Sequence, residues 1–308
     1  MTVKGRVLRI ERSSSYDGDG LRTVVFFKGC PLHCIWCSTP ESQNIFPETG
    51  CIRGKCLRCG TCIRTCPQKA LSADKDGFPH RTGDCNSCGL CVRNCPAYAF
   101  CLYGKEMTSD EVVAEIVKDE PFYFQSGGGF TLSGGEALSQ PEFALDIFKK
   151  CAHLGINGTF ETCCYVPWEN IEPLLPYLPV IFIDLKHMDD AEHLRLTGCG
   201  NKLIHENIKK IDSAGTTKIV IRIPFIPTVN DSDKNLREVM SFCSGLKNLR
   251  EVELLAYHRL GAETYRRMGL EPPLPDIQAP TGQQILAKAQ MMKLADESIT
   301  VKINGQEI

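Results

Sequence analysis

Three cysteines stand close together early in the chain, at Cys30, Cys34 and Cys37, in the run GCPLHCIWC. An iron–sulfur cube takes one cysteine thiolate on each of its irons. Three thiolates would therefore leave one iron open to bind a further molecule, which is the arrangement of a catalytic metal centre rather than a structural one. A zinc knuckle and three purely structural thiols are the alternatives that these residues alone leave open.

A second and denser set of cysteines follows, as two copies of the pattern C-x2-C-x2-C-x3-C-P. This spacing is typical of bacterial two-cluster ferredoxins, in which the fourth cysteine of each run crosses to the other cluster. The pattern predicts two further [4Fe–4S] clusters, one held by Cys56, Cys59, Cys62 and Cys95 and the other by Cys66, Cys85, Cys88 and Cys91. Cys51 and Cys101 flank the pattern and are alternative ligands. Such complete ligand sets suit electron transfer, and a purely structural pair of clusters is the alternative.

Outside the cysteine-rich block, strand-like runs alternate with helical runs. Strands are expected near residues 23–28, 130–133, 158–162, 180–185, 218–224 and 250–257. Helices are expected near 109–119, 141–153, 202–213, 234–246 and 283–295. This alternation predicts an α/β fold, a partial (β/α)6 TIM-like barrel, formed by residues 1–47 and 105–308. Residues 48–104 are expected to be an inserted ferredoxin-like domain with two [4Fe–4S] clusters.

The residues that could do chemistry follow the predicted strands at their carboxyl ends, and these ends meet on one face of a parallel barrel. In chain order they are the cysteine triplet with Trp36, then Gly134, Gly135 and Glu136, then Glu161 and Thr162, then Asp184 and Lys186, then Arg222, and finally His258. Packing alone would need six separate coincidences to place them so. The sequence therefore predicts that they share one site.

Each of these side chains has a chemical interpretation and a plainer one. The two glycines would let the backbone approach a ligand, and Glu136 could hold an ammonium group, although such a run is often only a turn. Arg222 could bind a carboxylate. Asp184 and Lys186 lie two residues apart in a strand and so point to the same side, where they could also form a simple salt bridge. Trp36 could stack on an adenine ring or pack against its loop, and His258 could be a surface histidine.

Composition limits the class of protein. The chain has 308 residues with a net charge of −2 and no long basic run, so nucleic acid is not favoured as a partner. No apolar run is long enough to span a membrane, and the N-terminus lacks the apolar stretch of a signal peptide. Eighteen cysteines in metal-type spacings without such a signal fit a reducing cytoplasm with bound iron better than a secreted disulfide scaffold.

Taken together, these motifs resemble a known family. A C-x3-C-x2-C triplet with an aromatic residue before the last cysteine is the signature of radical S-adenosylmethionine enzymes. The flanking runs DGDGLR at 17–22, GCP at 29–31 and STPE at 38–41 resemble the branch that activates glycyl radical enzymes and is related to pyruvate formate-lyase activase. The similarity covers essentially the whole chain, and the ferredoxin-type insert matches the longer activases of this branch.

The resemblance implies a role for each site residue. Cys30, Cys34 and Cys37 would bind the catalytic cluster, whose open iron chelates S-adenosylmethionine. Gly134, Gly135 and Glu136 would meet the methionine amino group, Trp36 the adenine, Lys186 and Arg222 the methionine carboxylate or its neighbourhood, and His258 the ribose or adenine. A monovalent cation is expected near Glu161, Thr162 and Asp184. Two positions depart from the family pattern, namely Ala137 in place of proline and Glu161 in place of aspartate, and the second puts the cation site in doubt.

The implied reaction is reductive cleavage of S-adenosylmethionine to methionine and a 5′-deoxyadenosyl radical, which takes hydrogen from a glycine of a partner glycyl radical enzyme. The expected partners are that client lyase or dehydratase and a flavodoxin or ferredoxin type reductant. Another radical reaction, on a small molecule or nucleotide, is one alternative. An iron–sulfur electron carrier is an alternative from a different class, but it does not explain a triplet aligned with Glu136, Lys186 and His258.

Overall fold

The computed structural model describes residues 2–308 of the chain, which form fourteen strands and ten α-helices. The strands are β1 (Lys4–Ser14), β2 (Arg22–Phe27), β3 (Glu48–Cys51), β4 (Leu71–Ala73), β5 (Pro79–Arg81), β6 (Phe100–Tyr103), β7 (Lys105–Thr108), β8 (Gly129–Gly134), β9 (Gly158–Thr162), β10 (Val180–Asp184), β11 (Lys218–Phe225), β12 (Leu249–Ala256), β13 (Thr300–Ile303) and β14 (Gln306–Glu307). The α-helices are α1 (Thr61–Arg64), α2 (Leu90–Arg93), α3 (Ser109–Val117), α4 (Glu120–Ser126), α5 (Pro141–His153), α6 (Asp190–Thr197), α7 (Lys202–Ala214), α8 (Asp233–Cys243), α9 (Ala262–Arg267) and α10 (Gly282–Ala295). Short 3₁₀ helices cover Pro40–Ser42, Arg53–Lys55, Ala137–Ser139, Trp168–Asn170 and Glu172–Tyr177.

Ten of these strands form one sheet in the order β14-β13-β12-β11-β10-β9-β8-β2-β1-β7. All neighbours from β2 to β13 pair in parallel, whereas β1, β7 and β14 join the two edges antiparallel. The six predicted strands are present as β2, β8, β9, β10, β11 and β12, and β13 adds a seventh parallel strand. The central parallel sheet expected of the α/β fold is therefore confirmed.

The predicted helices are present as α3, α5, α7, α8 and α10. Helix α3 begins with a capping box, because the Thr108 hydroxyl accepts from the backbone of Glu111 and the Glu111 side chain accepts from the backbone of Thr108. The apolar residues of these helices and of the sheet form one continuous core. No helix in residues 2–308 is both long enough and apolar enough to cross a bilayer.

Three phenylalanines show how a helix is fixed on the sheet. Phe148 of α5 lies 4.8 Å, centroid to centroid, from both Phe130 of β8 and Phe160 of β9, and all three are buried. This contact joins α5 to the two strands that carry Glu136 and Thr162 at their ends. The contact therefore fixes α5 against the two strands whose ends carry these site residues.

The cysteine-rich segment, residues 48–104, lies between β2 and β8 in the chain and forms its own small structure. Its first strand, β3, pairs with its last strand, β6, in antiparallel fashion, and β4 pairs with β5. The two cysteine runs have the same backbone course, since α1 and α2 follow Gly60 and Gly89, which both adopt a left-handed conformation. The repeat read from the sequence is thus also a repeat of backbone conformation.

The Phe148 contact gives a first prediction. Phe148→Ala should lower the free energy of unfolding by about 3–5 kcal/mol, because it removes a buried ring between two strands and leaves a cavity. Denaturant unfolding followed by circular dichroism measures this. Phe124→Ala is the matched control, because that ring is 81% exposed. An equal effect of the two changes would show that α5 is not held by this cluster.

Candidate active site

The cysteine triplet lies on a loop that leaves the carboxyl end of β2, and backbone hydrogen bonds fix this loop from two sides. On one side the N–H of Cys30 donates to the carbonyl of Gln43 at 3.0 Å. On the other side the N–H groups of His33 and Ile35 donate to the carbonyls of Thr197 and Leu196 at the end of α6, at 2.7 and 3.1 Å. The carbonyl groups at a helix C-terminus lack partners within the helix, so α6 is a natural acceptor for this loop.

The three thiols lie together in a mainly apolar environment. Cys34 packs with Cys30 and Cys37 in a small cluster that also contains Leu32 and Trp36. Burial raises the pKa of Cys34 to about 12, although the nearby ammonium of Lys186 opposes this shift. Metal binding requires the thiolate, and a bound metal would reverse this preference. In the described residues no three His, Cys, Asp or Glu side chains converge on one ion position, but a cube needs only one thiolate per iron.

Gly134, Gly135 and Glu136 follow β8 and lie against the start of this loop. The N–H of Gly135 donates to the carbonyl of Phe27 at 3.0 Å, and the N–H of Glu136 donates to the carbonyl of Gly29 at 2.7 Å. A Cβ on Gly135 would lie 2.4 Å from the carbonyl oxygen of Gly29, so a side chain cannot be accommodated there. The glycines therefore bring the chain close to its own backbone, where the sequence interpretation had expected a close approach to a ligand.

Glu136 is fully buried and is held by neutral donors only. Its carboxylate accepts from the N–H of Leu138 at 3.0 Å, from the hydroxyl of Thr162 at 2.8 Å and from the N–H of Cys163 at 2.8 Å. Burial raises the pKa of Glu136, and these hydrogen bonds oppose the shift. The structure thus brings Glu136 and Thr162 together, as the sequence predicts. Among these contacts of the Glu136 carboxylate there is no lysine or arginine to compensate its negative charge.

Asp184 and Lys186 form the salt bridge that the sequence offered as an alternative, with 2.7 Å between the Lys186 ammonium and one Asp184 oxygen. Burial alone would lower the pKa of Lys186, but the Asp184 carboxylate and the nearby Cys34 raise it above its ordinary value. Lys186 is therefore a permanent positive charge beside the cysteine triplet.

Arg222 is engaged by the protein's own carboxylates. Its guanidinium donates to Glu253 at 2.8 Å, pairs with Glu161, and donates to the carbonyl of Tyr16 at 2.6 Å. The sequence predicts that Arg222 binds a ligand carboxylate. One of its two ion pairs, with Glu161 or with Glu253, would have to break before it could do so. The difference arises because both acidic partners come from other strands and leave no local signal in the sequence.

The same contacts bear on the expected monovalent cation. Glu161 pairs with Arg222 and accepts from the Ser133 hydroxyl at 2.5 Å. Asp184 pairs with Lys186, and the Thr162 hydroxyl donates to Glu136. Glu161 and Asp184 are thus each already paired with a basic side chain, and a bound cation would share these carboxylates with Arg222 and Lys186.

Trp36 and His258 come together at the edge of the site. They line one small cavity, which also includes Cys37, Tyr257 and Tyr265. Trp36 is buried and His258 is exposed. An aromatic face beside a solvent-exposed imidazole can receive a planar ring system. The two tyrosines were missed in the sequence, because nothing in their spacing links them to the cysteine triplet.

The cysteine-rich segment contains two cavities, each lined by four cysteines. One is lined by Cys66, Cys85, Cys88 and Cys91, and the other by Cys56, Cys59, Cys62 and Cys95. These are the two crossed sets that the spacing predicts. Within the described residues neither Cys51 nor Cys101 lines either cavity, and the Cys101 thiol donates to the carbonyl of Gly50 at 3.4 Å.

Comparison with known proteins agrees with this geometry. Residues 24–240 match the Radical SAM superfamily. The chain is 39% identical over 296 residues to the isethionate sulfite-lyase activating enzyme of Oleidesulfovibrio alaskensis, covering 94% of this chain and 93% of that protein. It is also 39% identical over 280 residues to the (2S)-3-sulfopropanediol dehydratase activating enzyme of Klebsiella oxytoca, covering 89% of this chain and 88% of that protein.

A solved structure, SuiB of Streptococcus suis bound to precursor peptide SuiA, superposes with a TM-score of 0.53 at 12% identity, covering 92% of this chain and 48% of that one. That likeness shows the fold alone. The sequence matches show more: the chain belongs to the radical SAM superfamily and, within it, to the activating enzymes of glycyl radical enzymes. The resemblance seen in the sequence is thereby confirmed.

The buried pair of Glu161 and Arg222 gives a prediction on pH. Burial raises the pKa of Glu161 from 4.5 to about 7, with Arg222 opposing. A raised carboxyl pKa stabilises the fold at low pH, and this contribution is lost as pH rises from 4.5 to about 7. Over that range, wild type should lose unfolding free energy relative to Glu161→Gln, whose amide does not titrate.

The measurement is denaturant unfolding of both proteins across this pH range. Glu106→Gln, which alters an exposed carboxylate, is the control and should follow wild type. Parallel curves for wild type and Glu161→Gln would contradict the raised pKa.

Proposed function

We propose that this enzyme activates a partner glycyl radical enzyme by reductive cleavage of S-adenosylmethionine. When bound at Cys30, Cys34 and Cys37, a [4Fe–4S] cluster would supply the electron that yields methionine and a 5′-deoxyadenosyl radical, which takes hydrogen from a glycine of the partner. The observation that carries the proposal is the convergence of the cysteine triplet, Glu136 and Lys186 at the ends of β2, β8 and β10. This placement is what a partial barrel with its site at one face requires.

The charges near the triplet suit the two ends of an amino acid. Glu136 carries a buried negative charge that only neutral donors meet, so it suits an ammonium group. Lys186 carries a positive charge beside Cys34, so it suits a carboxylate. We assign Glu136 to the methionine amino group and Lys186 to the methionine carboxylate. Trp36 and His258, which share a cavity, take the adenosine end.

The protein's own task is to orient and to exclude water. The loop is fixed by α6 on one side and by the Gly135 and Glu136 backbone on the other, so the three thiolates are held before a ligand arrives. Fixed geometry at the reacting atoms lowers the entropic barrier of the reaction. No side-chain general base is needed in this reaction.

The cysteine-rich segment is proposed to be a ferredoxin-like domain with two [4Fe–4S] clusters that carries electrons from a flavodoxin or ferredoxin type reductant. Its two cavities, each lined by four cysteines, support this count of clusters. Cys59 is exposed, so one of the two cavities lies near solvent, where a reductant can approach.

The client is proposed to be a protein rather than a small molecule. A groove of about 650 Å³ runs along the surface beside Cys30 and is lined by Pro31, His33, Gln43 and Met268, among others. A protein segment can reach such an open groove. The names of the two relatives specify different clients, isethionate sulfite-lyase and (2S)-3-sulfopropanediol dehydratase.

A panel of candidate lyases, mixed with the reduced enzyme and S-adenosylmethionine and measured by electron paramagnetic resonance, should give a glycyl-radical doublet with the true client.

Cys30→Ala tests the catalytic assignment. It removes one of three thiolates, so the iron-reconstituted variant should form no 5′-deoxyadenosine from S-adenosylmethionine. Liquid chromatography of the reaction measures this product. Cys243→Ala, at a buried thiol of α8, is the control and should retain the activity. Deoxyadenosine from Cys30→Ala at the wild-type rate would refute the assignment of this cysteine.

Cys59→Ala and Cys88→Ala test the electron relay, with one change in each proposed cluster. Both should slow deoxyadenosine formation with a protein reductant while S-adenosylmethionine binding stays within about twofold of wild type, because the binding site is intact. Cys101→Ala is the matched control within the same segment. Normal rates in both variants would leave the clusters with a structural role only.

A further inference from the structure

One buried lysine lies between the cysteine triplet and the cysteine-rich segment. Lys28 follows β2 directly and precedes Cys30 by two positions in the chain. Its side chain is fully buried. Burying an ammonium group is costly unless it is paired and hydrogen-bonded, so the contacts of this group identify what it stabilises.

The ammonium of Lys28 contacts the start of the segment and the loop of the triplet at once. It donates to the backbone carbonyl of Glu41 at 2.5 Å, in the 3₁₀ turn that follows the triplet. It also donates to the Glu48 carboxylate at 3.4 Å. Glu48 is the first residue of β3, where the chain enters the cysteine-rich segment.

The aliphatic stem of Lys28 contacts the other end of the segment. A Cβ on Gly104 would lie 2.1 Å from Cδ of Lys28, and Gly104 has a φ of +91°. Glycine at this position therefore lets the chain leave the segment in contact with the lysine stem. Glu48 pairs with Tyr103 across β3 and β6, so both ends of the segment meet at this one side chain.

We infer that Lys28 is a positioning residue that holds the cysteine-rich segment in a fixed place relative to the cysteine triplet. The inference rests on the proposed function, in which electrons pass from the segment to the triplet. The rate of electron transfer falls steeply as the distance between the segment and the triplet grows. A rigid joint, formed by the contacts of Lys28 with Glu41, Glu48 and Gly104, keeps this distance constant. The entry connection alone does not do this, since the chain enters the segment through the irregular residues 43–47, whereas only Gly104 separates β6 from β7 at the exit.

The test compares Lys28→Met with wild type, both reconstituted with iron. Lys28→Met keeps the stem and removes the charge. Amide hydrogen exchange in β3 and β6 should become about tenfold faster, because opening of the joint no longer breaks the ion pair. Deoxyadenosine formation with a protein reductant should fall about tenfold, whereas KM for S-adenosylmethionine should stay within about twofold. Lys4→Met, which removes an exposed partner of Glu106, is the control and should change neither.

A double variant, Lys28→Met with Glu48→Gln, covers the case in which the single variant does not fold. Removal of both partners relieves the Glu48 carboxylate, which the single change leaves with only the Arg81 guanidinium, at 3.9 Å. The double variant should therefore recover the iron content of wild type but keep the faster exchange. If its exchange returns to the wild-type rate, the pair does not position the segment.

Two further outcomes separate this inference from the proposed relay. Unchanged exchange in Lys28→Met, or a loss confined to S-adenosylmethionine binding, would overturn the positioning role. If Lys28→Met exchanges faster in β3 and β6 but electron supply is normal in Cys59→Ala and Cys88→Ala, the joint stands and the relay fails.

Discussion

The site depends on a close backbone contact between the end of β2 and the end of β8. Gly135 and Glu136 donate to the carbonyls of Phe27 and Gly29, and Cys30 follows Gly29 directly. Side chains at either glycine would collide with this backbone, since a Cβ on Gly134 would lie 2.4 Å from the nitrogen of Phe27. The contact therefore fixes two things together: where the first thiol begins and where the Glu136 carboxylate lies. A site that binds a ligand at both of its ends needs a constant distance between the first thiol and the Glu136 carboxylate.

Most charged side chains around this contact pair with an opposite charge of the protein. The exception is the carboxylate of Glu136. Arg222 pairs with Glu161 and Glu253, whereas Lys186 pairs with Asp184 through one of its three donors and keeps the others for a ligand carboxylate. Glu136 receives only neutral donors, and its burial raises its pKa. A buried carboxylate of this kind gains most from an arriving cation. This asymmetry is the physical reason to place the amino group of the substrate at Glu136 rather than at Glu161.

Much of this could be predicted from the sequence, for identifiable reasons. The parallel strands are apolar runs that end at unusual residues, and Gly158–Thr162 and the helix Pro141–His153 have the bounds expected. Strand β1 was missed, because its sequence alternates poorly and includes four arginine and lysine residues. The end of α6 was missed for another reason: it holds the triplet through backbone carbonyls, and such contacts leave no residue signature.

Side-chain roles were harder to predict than positions. Arg222 lies at the predicted strand end, but its partners Glu161 and Glu253 come from strands that are distant in the chain. Lys28 was expected only as the last residue of the strand near 23–28, although a lysine at the end of the apolar run RTVVFFK is unusual. A charged residue that ends a buried strand must find partners, and these can lie in a different part of the fold.

The cysteine-rich segment shows why a rigid joint is useful here. On the proposed ligand sets, each cluster takes three thiolates from one copy of the repeat and one from the other, so neither is complete unless both copies pack together. The segment would therefore behave as one rigid body, and any freedom would lie where it meets the sheet. That meeting point is the β3–β6 pair, whose two ends both contact Lys28. On this proposal, Lys28 is a buried contact at that meeting point, next to the loop that carries the cysteine triplet.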